Sequence, residues 1–92
     1  MLKSILCDIS EKKCFICGRY GNMELHHAIS GISNRKNSDE YGLTVYLCVE
    51  CHRKLHNKRE IELQMKQYAQ KRWEEEFGTR DEFISIFGKS WL

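Results

Sequence analysis

Apolar residues fall along this chain in two rhythms. Met23-Glu24-Leu25-His26-His27-Ala28-Ile29 and Gly42-Leu43-Thr44-Val45-Tyr46-Leu47 are short apolar runs, the second bounded by glycine. Their length and composition predict two strands. Further on, Ile61, Met65, Tyr68, Ala69, Trp73 and Phe77 recur every three or four residues, the period of a helix with one buried face. On that reading Trp73 and Phe77 belong to the core. Cys51 to about Asn57 is predicted to open a helix ahead of this one, with His52 and His56 on one face because they stand four apart. Gly78 reads as a helix stop. Thr79-Arg80-Asp81-Glu82 places Thr at the N-cap and Glu at N3, a capping box for a last helix through Phe87, ended by Gly88. The polar stretch from Ser30 to Asp39, rich in Gly, Ser and Asn, reads as a loop. Leu2, Ile5, Leu6 and Ile9 predict a short strand or turn packing on the core. Strands followed by helices make this an α+β chain.

Composition narrows the picture. With 92 residues the chain is read as one domain, 1–92, and such a domain often needs a metal or disulfides as a staple. Its five cysteines include two C-x2-C pairs, Cys14/Cys17 and Cys48/Cys51, which point to zinc chemistry rather than to a disulfide framework. Cys7 is left over as a small buried hydrophobe. The first residues are too short an apolar run for a signal peptide, and no stretch reaches the length of a membrane span. The expectation is a reducing, cytoplasmic compartment and no membrane partner. Up to Arg59 there are ten Lys and Arg against six Asp and Glu, a net +4; from Glu60 onward there are five against seven, a net −2. The basic half is the half that carries the Cys and His residues, which fits a phosphate-bearing partner docking there.

Four thiols of the paired cysteines and four imidazoles exceed what one zinc ion can use. One division gives a closed structural site of Cys14, Cys17, Cys48 and Cys51, leaving His26, His27, His52 and His56. Three imidazoles plus water would keep the open position that catalysis needs. Adjacent residues on a strand point to opposite sides, so His26 and His27 take different roles. Another division, Cys48 and Cys51 with His52 and His56, crowds four ligands into nine residues and strands Cys14 and Cys17.

The elements Cys14-Phe15-Ile16-Cys17, Glu24-Leu25-His26-His27 and Leu47-Cys48-Val49-Glu50-Cys51-His52-Arg53-Lys54-Leu55-His56 together resemble an HNH endonuclease of the four-cysteine zinc type. The resemblance covers residues 14–56, with a C-terminal helical extension over 60–92. Small phage-encoded proteins of this class are similar in the basic stretch around Asn34-Arg35-Lys36-Asn37-Ser38, and Glu74 to Phe87 more loosely resembles the phage recombination-enhancing nucleases. The resemblance implies a small zinc-stapled ββα-metal domain that hydrolyses DNA phosphodiester bonds. It implies that His26, His52 and His56 hold a catalytic divalent metal (Mg2+, Mn2+, Ni2+ or Zn2+) beside the structural Zn2+. It makes His27 the general base, a role suited to an imidazole near neutral pH. Arg19, Arg35, Lys36, Arg53 and Lys54 are the candidate phosphate contacts. One position departs from the family: Leu43 stands near where the family has the Asn that orients the base. Asn34, Asn37 or a backbone carbonyl is left to hold His27. A different class, a non-catalytic zinc-ribbon module binding nucleic acid or protein, would use the cysteines without needing His27.

Overall fold

A computed structural model describes residues 4–7, 11–29 and 32–92. Of the apolar positions expected near the start, Leu2 and Ile9 lie outside the described residues. Ser4 to Cys7 form a bend rather than a strand. Its Ile5 N–H donates to the Gly42 carbonyl, and Leu6 is buried in the core.

The elements run β1 (Glu24–His27), α1 (Ile32–Tyr41), β2 (Thr44–Leu47), α2 (Val49–Asn57), α3 (Arg59–Glu76) and α4 (Arg80–Phe87), an α+β arrangement. The strands pair antiparallel, with His26 opposite Val45 and His27 opposite Thr44. Both were foreseen, the first three residues and the second two residues longer than observed. β2 sits deep, with Thr44, Val45 and Leu47 buried, as an apolar run flanked by packed elements should. The segment around Cys14 joins this sheet: the Phe15 N–H donates to the Tyr46 carbonyl at 2.8 Å. Gly18, directly after the second cysteine of the pair, adopts φ +78°, a left-handed turn that glycine takes without strain.

The expected loop over residues 30–39 is a correction, because most of it is helix α1. Its sequence is nearly all polar, so no apolar period betrays it. Tertiary anchors hold it instead. The Ser38 hydroxyl is fully buried and donates to the Ile29 carbonyl at 2.8 Å. The Asn34 and Asn37 side-chain amides donate to the carbonyls of Phe87 and Ile86, tying α1 to the end of α4. Gly42, φ +71°, closes the helix with a paired cap: its N–H reaches the Asp39 carbonyl and the Leu43 N–H reaches that of Ser38. This is the Schellman pattern, so the glycine that bounds the second apolar run is a helix stop rather than the start of a strand.

α2 starts two residues before Cys51, with Cys48 as its N-cap. Lys58, in an extended conformation, separates it from α3. On α3 the predicted stripe holds for Met65, Ala69 and Trp73, all buried. Phe77 departs from the expected core: it is 48% exposed, and its ring meets Tyr41 edge-on, with centroids 5.1 Å apart. Trp73 instead centres the helical half, with Phe83 at 5.5 Å and Tyr41 at 5.8 Å between centroids. The capping box of Thr79 and Glu82 forms as read, and Gly88 ends α4 at φ +96°. Gly78 is not a left-handed stop. A Cβ there would come within 2.9 Å of a Glu82 carboxylate oxygen, so its lack of a side chain makes room for the capping box.

Candidate metal centres

Two turns build the cysteine cluster. Cys14 to Gly18 curls so that the Cys17 N–H faces the Cys14 Sγ at 3.5 Å. In the second turn the Cys48 Sγ caps α2 by accepting from the Cys51 N–H, also at 3.5 Å. The four Sγ atoms lie within 4.8 Å of one another. Cys17 and Cys48 approach to 3.8 Å. A tetrahedral ion with Zn–S bonds of about 2.3 Å requires S···S edges of about 3.8 Å, so the four cysteines are close enough to hold a structural metal such as zinc. Their acidities argue the same way. Burial pushes the Cys14 thiol up, but the backbone N–H groups of Cys17, Cys48 and Ile16 outweigh it and bring it down to about 6. Burial, and then hydrogen bonding to Cys48, Cys14 and Cys17, pushes Cys51 up to about 12. One proton leaves readily while another is held hard, and a cation held by the four sulfurs would let all the thiolates coexist. Cys7 packs half-buried against the core.

The histidines form a second cluster next door, since His52 follows Cys51 on α2. The ligating nitrogens of His26, His52 and His56 lie within 4.8 Å of one another. The arrangement that put Cys48, Cys51, His52 and His56 in one site is therefore not the one observed. His26 comes from β1 and is 7% exposed; the other two rise from one face of α2. The Nε2 atoms of His52 and His56 are 3.1 Å apart. Metal–nitrogen bonds of about 2.0–2.1 Å imply tetrahedral N···N edges of about 3.3 Å. The His52 Nδ1 lies 2.8 Å from the Glu24 carboxylate. A carboxylate only accepts, so in the neutral ring Nδ1 carries the proton and Nε2 keeps its lone pair toward the cluster. His26 is held down at about 4 by burial first and then by repulsion from His52, His56 and His27, with Glu62 opposing. It is therefore neutral at physiological pH, the form that can bind a metal.

His27 points away from this cluster, as strand alternation requires. Its Nε2 lies 2.8 Å from the Asp39 carboxylate on α1. Leu43 is fully buried, and its carbonyl accepts from the Ala28 N–H.

The structure thus brings seven of the predicted ligands into two clusters and sets His27 beside one of them. Glu24 and Asp39 were missed. Glu24 was within reach of the sequence, because two residues before His26 on a strand is the same face. Asp39 was hidden by reading its helix as a loop. Of the five candidate phosphate contacts, Arg35 and Lys36 stand exposed on α1 and Arg53 and Lys54 on α2; Arg19 is exposed and loosely paired with Glu50 at 3.8 Å. No helix among the described residues is long and apolar enough to cross a membrane. Compared with family models, curated proteins and solved structures, the chain matches none.

Proposed function

We propose that this chain is a metal-dependent endonuclease of the HNH type, a ββα-metal domain that hydrolyses DNA phosphodiester bonds. The observation that carries the reading is the trio of imidazoles from β1 and α2, with a further histidine on the adjacent strand position locked to a carboxylate. His26, His52 and His56 would hold a divalent ion. When bound, such an ion supplies Lewis-acid polarisation of a phosphoryl oxygen and stabilises the charge on the leaving oxygen. Imidazole donors suit zinc or nickel better than magnesium or manganese, which prefer oxygen ligands.

The rest is the work of the chain's own residues. Asp39 accepts the Nε2–H of His27, which fixes the ring and leaves Nδ1 with the lone pair. His27 then takes the proton of the attacking water at Nδ1. Asp39 stands in for the amide that Leu43 cannot offer, and it also stabilises the imidazolium that forms, as a carboxylate behind a base does. Glu24 keeps the His52 Nε2 aimed inward. The rival reading, a zinc module that only binds, accounts for the cysteines. It gives no reason for two carboxylate–histidine pairs beside them.

Plasmid nicking by purified protein with each metal in turn, beside His27→Ala and Asp39→Ala, tests this. Metal-dependent nicking, lowered about 10²–10⁴-fold in His27→Ala with zinc content intact, is expected of a general base. No nicking with any metal, or equal nicking by both proteins, would overturn it. Asp39→Ala should lower the rate less than His27→Ala, and Asp39→Asn should recover part of it.

A further inference from the structure

The C-terminal half carries a basic cleft that the histidine site does not use. Arg59, Glu62, Leu63 and Lys66 from α3, with Lys89 and Trp91 from the segment after α4, line a cavity of about 380 Å³. Three cations face one carboxylate, and that carboxylate is already paired: Glu62 lies 3.0 Å from the Lys66 ammonium. Free lysines sweep through solvent, but these two are gathered by one ring. The Lys66 Nζ sits 5.3 Å from the Trp91 ring centroid and the Lys89 Nζ 5.6 Å from it. Trp91 itself is pinned. Its N–H donates to the Gln70 side chain, its carbonyl accepts from Gln67, and its ring meets Phe83 edge-on at 6.0 Å. Gln70 is fully buried, so the platform rests on the core. An aromatic face that holds two ammonium groups in place lowers the side-chain entropy an anion must overcome when it binds.

The cleft also lies next to the histidine cluster. Arg59 begins α3 three residues after His56, and Glu62 lines the cleft while its charge reaches His26. From Glu60 onward the chain is net acidic, so the gathering of Lys66 and Lys89 there is a local arrangement rather than a share of general charge. We propose that Arg59, together with Lys66 and Lys89 gathered on Trp91, forms a phosphodiester-binding subsite that holds the DNA backbone on one flank of the histidine site. The subsite rests on the nuclease reading for its substrate. Its ligand chemistry is backbone phosphate, so it adds grip without reading sequence. Lysine and arginine contacts of this kind release condensed counterions, and each contact steepens the salt dependence of binding by about one unit of slope.

The test is binding of a fluorescent 20-base-pair duplex over a salt series, using the full chain loaded with zinc and carrying His27→Ala to prevent cutting. In that background Arg59→Gln/Lys89→Gln is compared with Lys12→Gln/Lys71→Gln, which removes the same charge elsewhere. Wild-type nicking is measured alongside. The expected result is roughly a 10–50-fold loss of affinity in the cleft double variant, a slope shallower by about two, and a much smaller change in the control. Equal losses in the two double variants would mean only net charge matters and would overturn the subsite. If wild type nicks DNA while the cleft variant binds like its parent, the subsite falls and the nuclease reading stands. If cleft-dependent binding occurs without nicking, the subsite stands and the nuclease reading falls. If wild type does not nick and the His27→Ala parent does not bind, both fall.

Discussion

The two clusters on either side of Cys51 and His52 are built from the same ingredients and are set for opposite ends. Each gathers soft ligands from two segments distant in sequence. The thiols close on themselves: three of the four cysteines are buried, and the spacing fits a complete tetrahedron. The imidazoles form an incomplete set of three, and only His26 is buried while His56 is exposed. The cysteines have backbone N–H groups as partners, whereas the histidines have carboxylates, Glu24 behind His52 and Asp39 behind His27. Backbone partners make a site part of the fold. Carboxylate partners tune the basicity of a ring while leaving it free to react. The comparison teaches that closure of the ligand set and the source of its hydrogen bonds are what, on the proposed reading, separate a staple from a working centre.

The largest expected effect breaks the comparison on the thiol side. Cys51→Ser removes one ligand of a complete set. Structural zinc contributes on the order of 10 kcal/mol in small domains, comparable to the whole stability of a domain. The variant is therefore expected to lose cooperative unfolding, and amide exchange at β1, β2 and α2 should lose its protection. Protection at wild-type level with the zinc gone would show that the cluster is no staple. On the imidazole side, His56→Ala removes an exposed ligand from an open set. Metal content measured after dialysis against zinc should drop from about two equivalents to about one, while the melting temperature moves by only a few degrees. Loss of both equivalents, or of the fold, would erase the distinction between the two centres.

This contrast also explains what was legible in advance. The cysteine knuckles and the His-bearing helix are local patterns, and spacing alone places their side chains together. The strands were readable because β2 is buried along most of its length and its apolar run is nearly unbroken. α1 was not readable, because its anchors are contacts to residues far along the chain: Ser38 to Ile29, Asn34 and Asn37 to the end of α4. A polar helix held by its partners leaves no period in the sequence. With α1 hidden, Asp39 was hidden too, and the residue that holds His27 could be found only in three dimensions. Phe77 failed for a related reason. Periodicity placed it on the buried face, but α3 ends at Glu76, and beyond the helix the period no longer governs where a ring points.

A finer prediction sharpens the imidazole side. Glu24→Gln keeps the shape of the side chain but replaces a carboxylate with an amide that no longer enforces the His52 tautomer. The expected outcome is a 10–100-fold weaker affinity at the histidine site, read by competition with a chromophoric chelator. Zinc at the cysteine cluster should be unmoved. Equal weakening at both would mean that Glu24 acts through the fold rather than through His52.

The last effect is one of pH. His26 has its folded-state value lowered from 6.5 to about 4. Between those values the unfolded chain binds a proton at this ring and the folded chain does not, so unfolding takes up protons and stability falls as pH falls. For protein holding zinc only at the cysteines, the loss between pH 7.5 and pH 5 from this ring alone is about 2 kcal/mol. His26→Asn keeps a neutral polar group of similar reach and removes the titration. The pH 7.5-to-5 difference in unfolding free energy from denaturant titrations should be smaller in the variant than in wild type by about that amount. Acid effects on the thiolates are common to both proteins and cancel in the difference. If the two proteins lose stability in parallel, His26 is not buried as a neutral ring. The contrast between a closed thiol staple and a partly buried imidazole centre would then lose its most deeply buried member.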